Sequence, residues 1–324
     1  MLRVSAGVRL LMFDYDPDPA APDPIASAHE LVTRLTGIWP AFAATGWLAT
    51  TSTSAAIRDK WTGAWLRPPD GMHVYVLVTG DVARFREWLK VKLWLAGYGF
   101  CKLATPNAQT GVAAVLERAM VDLMVFSPER LDYVAGALID KSAPFYQDRP
   151  APELHPGFVL DLDSLPDVTP EECTAYARLV AAAHARLVSE RRAEVRAHIT
   201  TATPSLSAPE VEQEITTRLA RAKRGELDAG HLLYFHGGIT LTAGELARAQ
   251  ALDGRRLADP QEPTYRQGDD AVFHWRGGDW RIVSWAHGVK KVYHLARTPW
   301  YQQESASTRE LATIAAEEIA PWHA

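Results

Sequence analysis

The sequence predicts an α+β protein: a mixed-sheet core over residues 1–165, a helical segment over 166–228 and a small α+β domain over 229–324. Three observations carry this. Short apolar runs with β character alternate with helical spacing through the first part. Two helix starts with reciprocal caps follow in tandem, at Thr169 and Ser207. Strand-like runs then resume after residue 230.

Residues 9–14 (RLLMFD) read as a buried strand ending in acids. Pro17, Pro19 and Pro22 forbid further pairing, so those acids fall at a strand end and its loop. Helical spacing is expected over 25–35, a strand over 46–53, and a long loop or hairpin over 54–71. Residues 72–78 (MHVYVLV) alternate as a strand does. Asp81 is suited to cap a helix running to about residue 95, stopped by Gly97 and Gly99. Residues 99–104 and 119–126 (AMVDLMVF) are two further strand candidates. Prolines and acids cluster over 150–166 and mark a boundary. Thr169, Pro170 and Glu172 then start one helix, and Ser207 and Glu210 a second that stops near Gly225. The last region carries a strand (HLLYF), a short helix capped by Thr242 and Glu245, and strands near 272–275 and 280–285.

Of 324 residues, 47% are hydrophobic and 23% charged, as in a water-soluble globular chain. No apolar run approaches membrane-spanning length, and residues 1–11 do not read as a secretory signal, so a cytoplasmic protein without a membrane partner is expected. The two cysteines, Cys101 and Cys173, stand far apart and support neither a disulfide framework nor a zinc cluster. With 34 Lys and Arg against 39 Asp and Glu, the balance argues against non-specific coating of duplex DNA. The absence of a Gly-rich loop followed by Lys-Ser or Lys-Thr excludes a P-loop motor.

Asp14 and Asp16 are two apart and so project to one side of a strand end. Paired carboxylates suit Mg²⁺ or Mn²⁺, which prefer hard oxygen ligands. Asp122 is an acid in an otherwise apolar run, a costly place unless it meets a cation, a cavity or a hydrogen-bonding partner. Together the three acids are suited to hold two divalent ions. An Asp-X-Asp before prolines is by itself most often a solvated turn, so the grouping matters more than any member.

His73 falls on the face of its strand that Tyr75 and Leu77 share, where it can meet a phosphate or be a satisfied core residue. Arg58, Lys60, Trp61, Trp65 and Arg67 interleave basic and aromatic residues, a mixture that suits a single strand, although a loop whose tryptophans fold back onto the core fits it as well. Arg191 and Arg192 are candidates for a second basic wall, although Glu190 and Glu194 beside them also fit an ordinary charged face. His287 and His294 read as structural.

In order, these pieces resemble the archaeo-eukaryotic primase superfamily. Phe13-Asp14-Tyr15-Asp16 resembles its Asp-X-Asp motif; the serines Ser52 and Ser54 with Gly71-Met72-His73-Val74-Tyr75 resemble its Ser-and-His motif; Met120-Val121-Asp122 resembles its apolar-Asp motif. The middle motif is similar to that of the polymerase domains of bacterial multifunctional DNA ligases. Residues 116–122, followed by Pro128-Glu129-Arg130-Leu131, are similar to primase domains of plasmids, phages and integrated elements. The runs Leu257 to Pro263 and Ser284 to Gly288 resemble segments that follow such domains. The resemblance implies a primase-polymerase core with Asp14, Asp16 and Asp122 as catalytic metal ligands. It implies His73, Ser54 and Arg118 on the nucleotide, NTP or dNTP. Single-stranded DNA is the implied template, near Arg58, Lys60, Arg67, Arg191 and Arg192, with unwinding left to a separate helicase. The family's serine two residues before the histidine is Gly71 here, so Ser52 or Ser54 must serve from the neighbouring strand or phosphate binding is weakened. A single-strand-binding replication accessory protein without synthesis is the alternative. A nuclease is disfavoured, because no Glu-X-Lys motif follows the acids.

Overall fold

Alternation along the first strand sets the central sheet. In the structure, a computed structural model describing residues 7–126, 137–277, 279–286 and 290–296, β1 (Arg9–Tyr15) buries Leu11, Phe13 and Tyr15. Leu10, Met12 and Asp14 take the opposite face. α1 (Ala28–Ile38) begins three residues later than its spacing predicts, because Ser27 accepts from the Glu30 N–H while Glu30 accepts from the Ala26 N–H. Then come β2 (Trp47–Thr51) and a hairpin of β3 (Ile57–Asp59) and β4 (Trp65–Arg67). They are followed by β5 (Met72–Thr79), and by α2 (Val82–Leu95) capped by Asp81 as expected. β6 (Gly99–Leu103) and β7 (Val115–Ala119) pair as a hairpin. β8 (Phe145–Gln147) adds to β3, and β9 (Glu153–His155) and β10 (Leu160–Asp161) to the main sheet.

The main sheet runs β1-β5-β2-β9, antiparallel, with β10 parallel to β5, so it is mixed as the sequence predicts. Its inner face (Phe13, Val74, Val76 and Val78) packs under α1 and α2 through Leu31, Leu35, Phe85 and Leu89. Phe13 is fully buried and meets Phe42, Phe85 and Phe126 edge to face, with ring centroids 5.6, 6.2 and 5.4 Å away. Burying such a ring contributes about 1.5–3 kcal/mol and fixes which way its neighbour Asp14 points.

The strand expected over 119–126 is corrected. β7 ends at Ala119, and Leu123–Phe126 is a 3₁₀ turn. The Asp122 N–H donates to the Asp14 carbonyl at 2.9 Å, and its carboxylate accepts the Met124 N–H at 2.8 Å, so the chain turns there. Met120 and Val121 are both buried, against the alternation of a strand.

α3 (Pro170–Arg186) opens with the predicted Thr169–Glu172 capping box. α4 (Val188–Ala202) and α5 (Ala208–Arg224) follow; α5 ends at Gly225 in the left-handed region, φ +72°. The chain divides into two compact units, one drawn from residues 1–104 and 113–193 and the other from 105–112 and 194–324. The second unit holds β11 (Glu226–Leu227), β12 (Leu232–Phe235), β13 (Ile239–Thr242), β14 (Arg256–Leu257), β15 (Ala271–Arg276), β16 (Asp279–Ser284) and β17 (Lys291–Leu295). They form one sheet, β11-β17-β16-β15-β14-β12-β13, over a core of Leu233, Phe235, Leu257, Phe273 and Ile282. Val195, Ile199, Val211 and Ile215 make a separate cluster with Val112. Among the described residues no helix is long and apolar enough to cross a membrane.

Candidate active site

The site grows from the outward face of β1 and β5. Asp14 lies directly across from His73, which lies across from Thr50 on β2, so three polar side chains form one row over three strands. His73 Nε2 is 3.4 Å from Asp14 Oδ1, and Nδ1 is 3.2 Å from the Tyr75 hydroxyl. The pair is largely withdrawn from water, the side chains being 18% (Asp14) and 8% (His73) exposed. The Thr50 hydroxyl is buried and has no hydrogen-bond partner among the described residues.

Asp16 follows two residues after Asp14. Partial burial pushes its carboxyl above the usual range; the His73 and Arg67 charges pull it down, while Asp122 and Asp70 push it up. Its side chain still reaches solvent, so the energetic weight of that shift is small. Asp122, Asp70, His73 and Arg67 are thus within electrostatic range of the Asp16 carboxylate. Asp122 reaches this point because its backbone N–H is bonded to the Asp14 carbonyl. Asp70 and Thr50 are the residues that the sequence reading missed. Asp70 had one available signal, its place in the Pro-Pro-Asp-Gly turn that leads into His73.

Gly71 lies in a crowded place. A Cβ there would lie 3.1 Å from Asp16 Oδ1 and 3.2 Å from the Ser52 Cβ. Ser52 is buried beside it, held by its N–H to the Gly71 carbonyl, and its hydroxyl is 3.3 Å from that of exposed Ser54. The space that a side chain at 71 would fill is therefore taken by Ser52 from the adjoining strand.

The other expected residues fall into two groups. Arg67 stands by Asp16 and donates to the Ser54 carbonyl at 3.4 Å. Arg118 lies near Asp18, which also pairs with Lys102, and donates to the Glu117 carbonyl. Arg58 stacks 3.5 Å over the Trp65 ring and bonds Asp148 and the Gly63 carbonyl. Lys60 donates to the carbonyls of Lys141 and Ala143. Trp61 stands 75% exposed at the hairpin tip. Arg191 is half-buried with its Nε on the Ala113 carbonyl at 2.7 Å, which makes it a fastener of that loop, and Arg192 follows it on α4. Residues 128–131, His287 and Gly288 lie outside the described residues.

Among the described residues, no three His, Cys, Asp or Glu side chains already form a metal-ligating group. The donor chemistry nevertheless fits a hard divalent cation: carboxylate oxygens, one of them in a setting that disfavours its charge. No protein-family model, curated protein or solved structure matches the chain.

Proposed function

We propose that the protein is a template-dependent nucleotidyltransferase, a DNA primase or primase-polymerase acting on single-stranded DNA with NTP or dNTP. What supports this reading is that His73 stands 3.4 Å from Asp14, that His73 and Asp122 both act electrostatically on Asp16, and that the Asp122 N–H is bonded to the Asp14 carbonyl. In this reading Asp14, Asp16 and Asp122 hold two Mg²⁺ or Mn²⁺ ions. When bound, such ions lower the pKa of an attacking hydroxyl and neutralise a leaving pyrophosphate.

The chain's own residues do the rest. His73 holds Asp14 in place and, with Ser54, Ser52 and Arg118, receives the incoming nucleotide's phosphates. Arg67 adds positive charge beside Asp16. The β3–β4 hairpin, with Trp61 exposed, offers a stacking surface to a single strand, flanked by Arg58 and Lys60. Positioning a 3′-hydroxyl and an α-phosphate in line is worth several kcal/mol of the barrier.

The test is extension of a short labelled primer on a template with Mg²⁺ or Mn²⁺. Wild type is expected to incorporate nucleotide, and the Asp14→Ala, Asp16→Ala double variant to lose at least about a hundredfold in rate. Equal incorporation by both would sink the assignment. The same hairpin favours one other reading, single-strand binding without synthesis. Metal-independent binding with no incorporation by wild type would select it.

A further inference from the structure

β1 is an outer strand of the main sheet. It pairs with β5 in unbroken register from Arg9 to Tyr15, and among the described residues it pairs with no other strand. Asp14 turns its carbonyl away from β5, because that oxygen accepts the Asp122 N–H. Backbone direction alternates along an antiparallel strand, so Leu10 and Met12 also turn their N–H and C=O groups outward. Those groups have no hydrogen-bond partner among the described residues. Asp122 therefore closes the edge at Asp14, while Leu10 and Met12 leave it open.

The side chains make this open stretch apolar. On the outward face Leu10 is 63% exposed, Met12 is half-buried, and Val8, just before the strand, is 59% exposed. Bare rows of N–H and C=O groups recruit further strands, and folded proteins usually blunt them with proline, lysine, a bulge or a covering element. Residues 8–12 (VRLLM) contain no proline or lysine, and the pairing of β1 with β5 has no bulge. Their one charge, Arg9, is turned to the other face and is itself engaged.

The order of the side chains selects the partner. Val8, Leu10 and Met12 are arranged evenly about Leu10. An antiparallel copy of the same strand, on a two-fold axis through Leu10, sets Leu10 opposite Leu10 and Val8 opposite Met12. The outward backbone groups of Leu10 then meet their own counterparts, and only apolar side chains face one another on the outer side. Neighbouring registers are worse. An axis at Arg9 would set two guanidinium groups together, and one at Leu11 would set Val8 against Asp14, whose carbonyl is already taken.

We propose that the protein pairs with a second copy of itself through β1, antiparallel about Leu10, so that the main sheet continues from one copy into the other. In that register the two Asp14 residues lie eight strand positions apart, about 26 Å, on the same face. Both carboxylate rows stay outside the joint, and the pairing does not depend on the chemistry proposed for them.

The experiment is sedimentation velocity of the full chain from about 1 to about 100 μM. Wild type is expected to be a dimer over the upper part of that range. Leu10→Lys and Leu10→Glu, each placing like charges on the axis, should separately weaken association at least about tenfold. An equimolar mixture of the two variants should recover the dimer, because position 10 faces position 10; recovery also shows that both variants fold. Leu154→Lys, at a 75% exposed leucine on the far edge strand β9, should dimerise as wild type does. A wild type that stays monomeric throughout overturns the proposal. So does unchanged dimerisation by either Leu10 variant, a mixture no more associated than its components, or an equal loss in Leu154→Lys.

Discussion

The backbone N–H of Asp122 donates to the carbonyl oxygen of Asp14 across 2.9 Å. One motif ends a strand, the other lies in a turn far along the chain, and this bond fastens them. Because Phe13 and Tyr15 are anchored in the core, Asp14 has to face outward, and cross-strand register sets His73 against it. The arrangement follows from alternation and one turn, and each part can be perturbed separately.

Removing the imidazole should leave a largely buried carboxylate short of one partner. His73→Ala is expected to lower unfolding free energy by about 1–3 kcal/mol. Urea denaturation checks this; His73→Gln, which restores a donor, should recover part of the loss.

Thr50 offers the opposite sign. Its buried hydroxyl is unsatisfied, and valine has nearly the same shape. Thr50→Val is expected to stabilise the protein, by up to about 1 kcal/mol, in thermal unfolding. If the hydroxyl serves the reaction, incorporation falls in the same variant.

Gly71 should not tolerate a serine side chain. The added Cβ meets Asp16 Oδ1 at 3.1 Å and the Ser52 Cβ at 3.2 Å. Gly71→Ser is expected to destabilise by about 1–3 kcal/mol and to reduce primer extension. Ser52→Ala in the same chain keeps the crowding Cβ, so little of the stability should return.

The pH dependence at Asp16 has a definite sign. Its folded-state pKa is raised, so the folded protein holds the proton more tightly than the unfolded chain. That contribution is full below the unfolded pKa and is lost as pH rises through the folded one. In EDTA at pH 7, Asp16→Asn should melt slightly above wild type, by less than about 1 kcal/mol because the side chain reaches solvent. The gap should close as pH falls toward the usual carboxylate range. Melting curves over that range check it.

How much of this was legible in the sequence depends on what fixed each element. β1 and β5 were readable because one-sided burial imposes a period of two, and α3 and α5 because Thr169–Glu172, Ser207–Glu210 and Gly225 write their ends chemically. Residues 119–126 misled because an apolar run carries no period when Met120 and Val121 are both buried. The role of Asp70 and Thr50 depends on which strands become neighbours, and β1-β5-β2 pairing is non-local. For the same reason nothing in the spacing of Arg191 revealed that it holds the Ala113 carbonyl.

The central claim is that Asp14, Asp16 and Asp122 share divalent cations beside His73. Titration with Mn²⁺, followed by the loss of its free-ion electron paramagnetic resonance signal, tests it most directly. The account predicts saturable binding by wild type in the presence of nucleotide, with each of Asp14→Asn, Asp16→Asn and Asp122→Asn weakening it at least about tenfold. Binding unchanged in the Asp122 variant, or absent from the wild type, would contradict it.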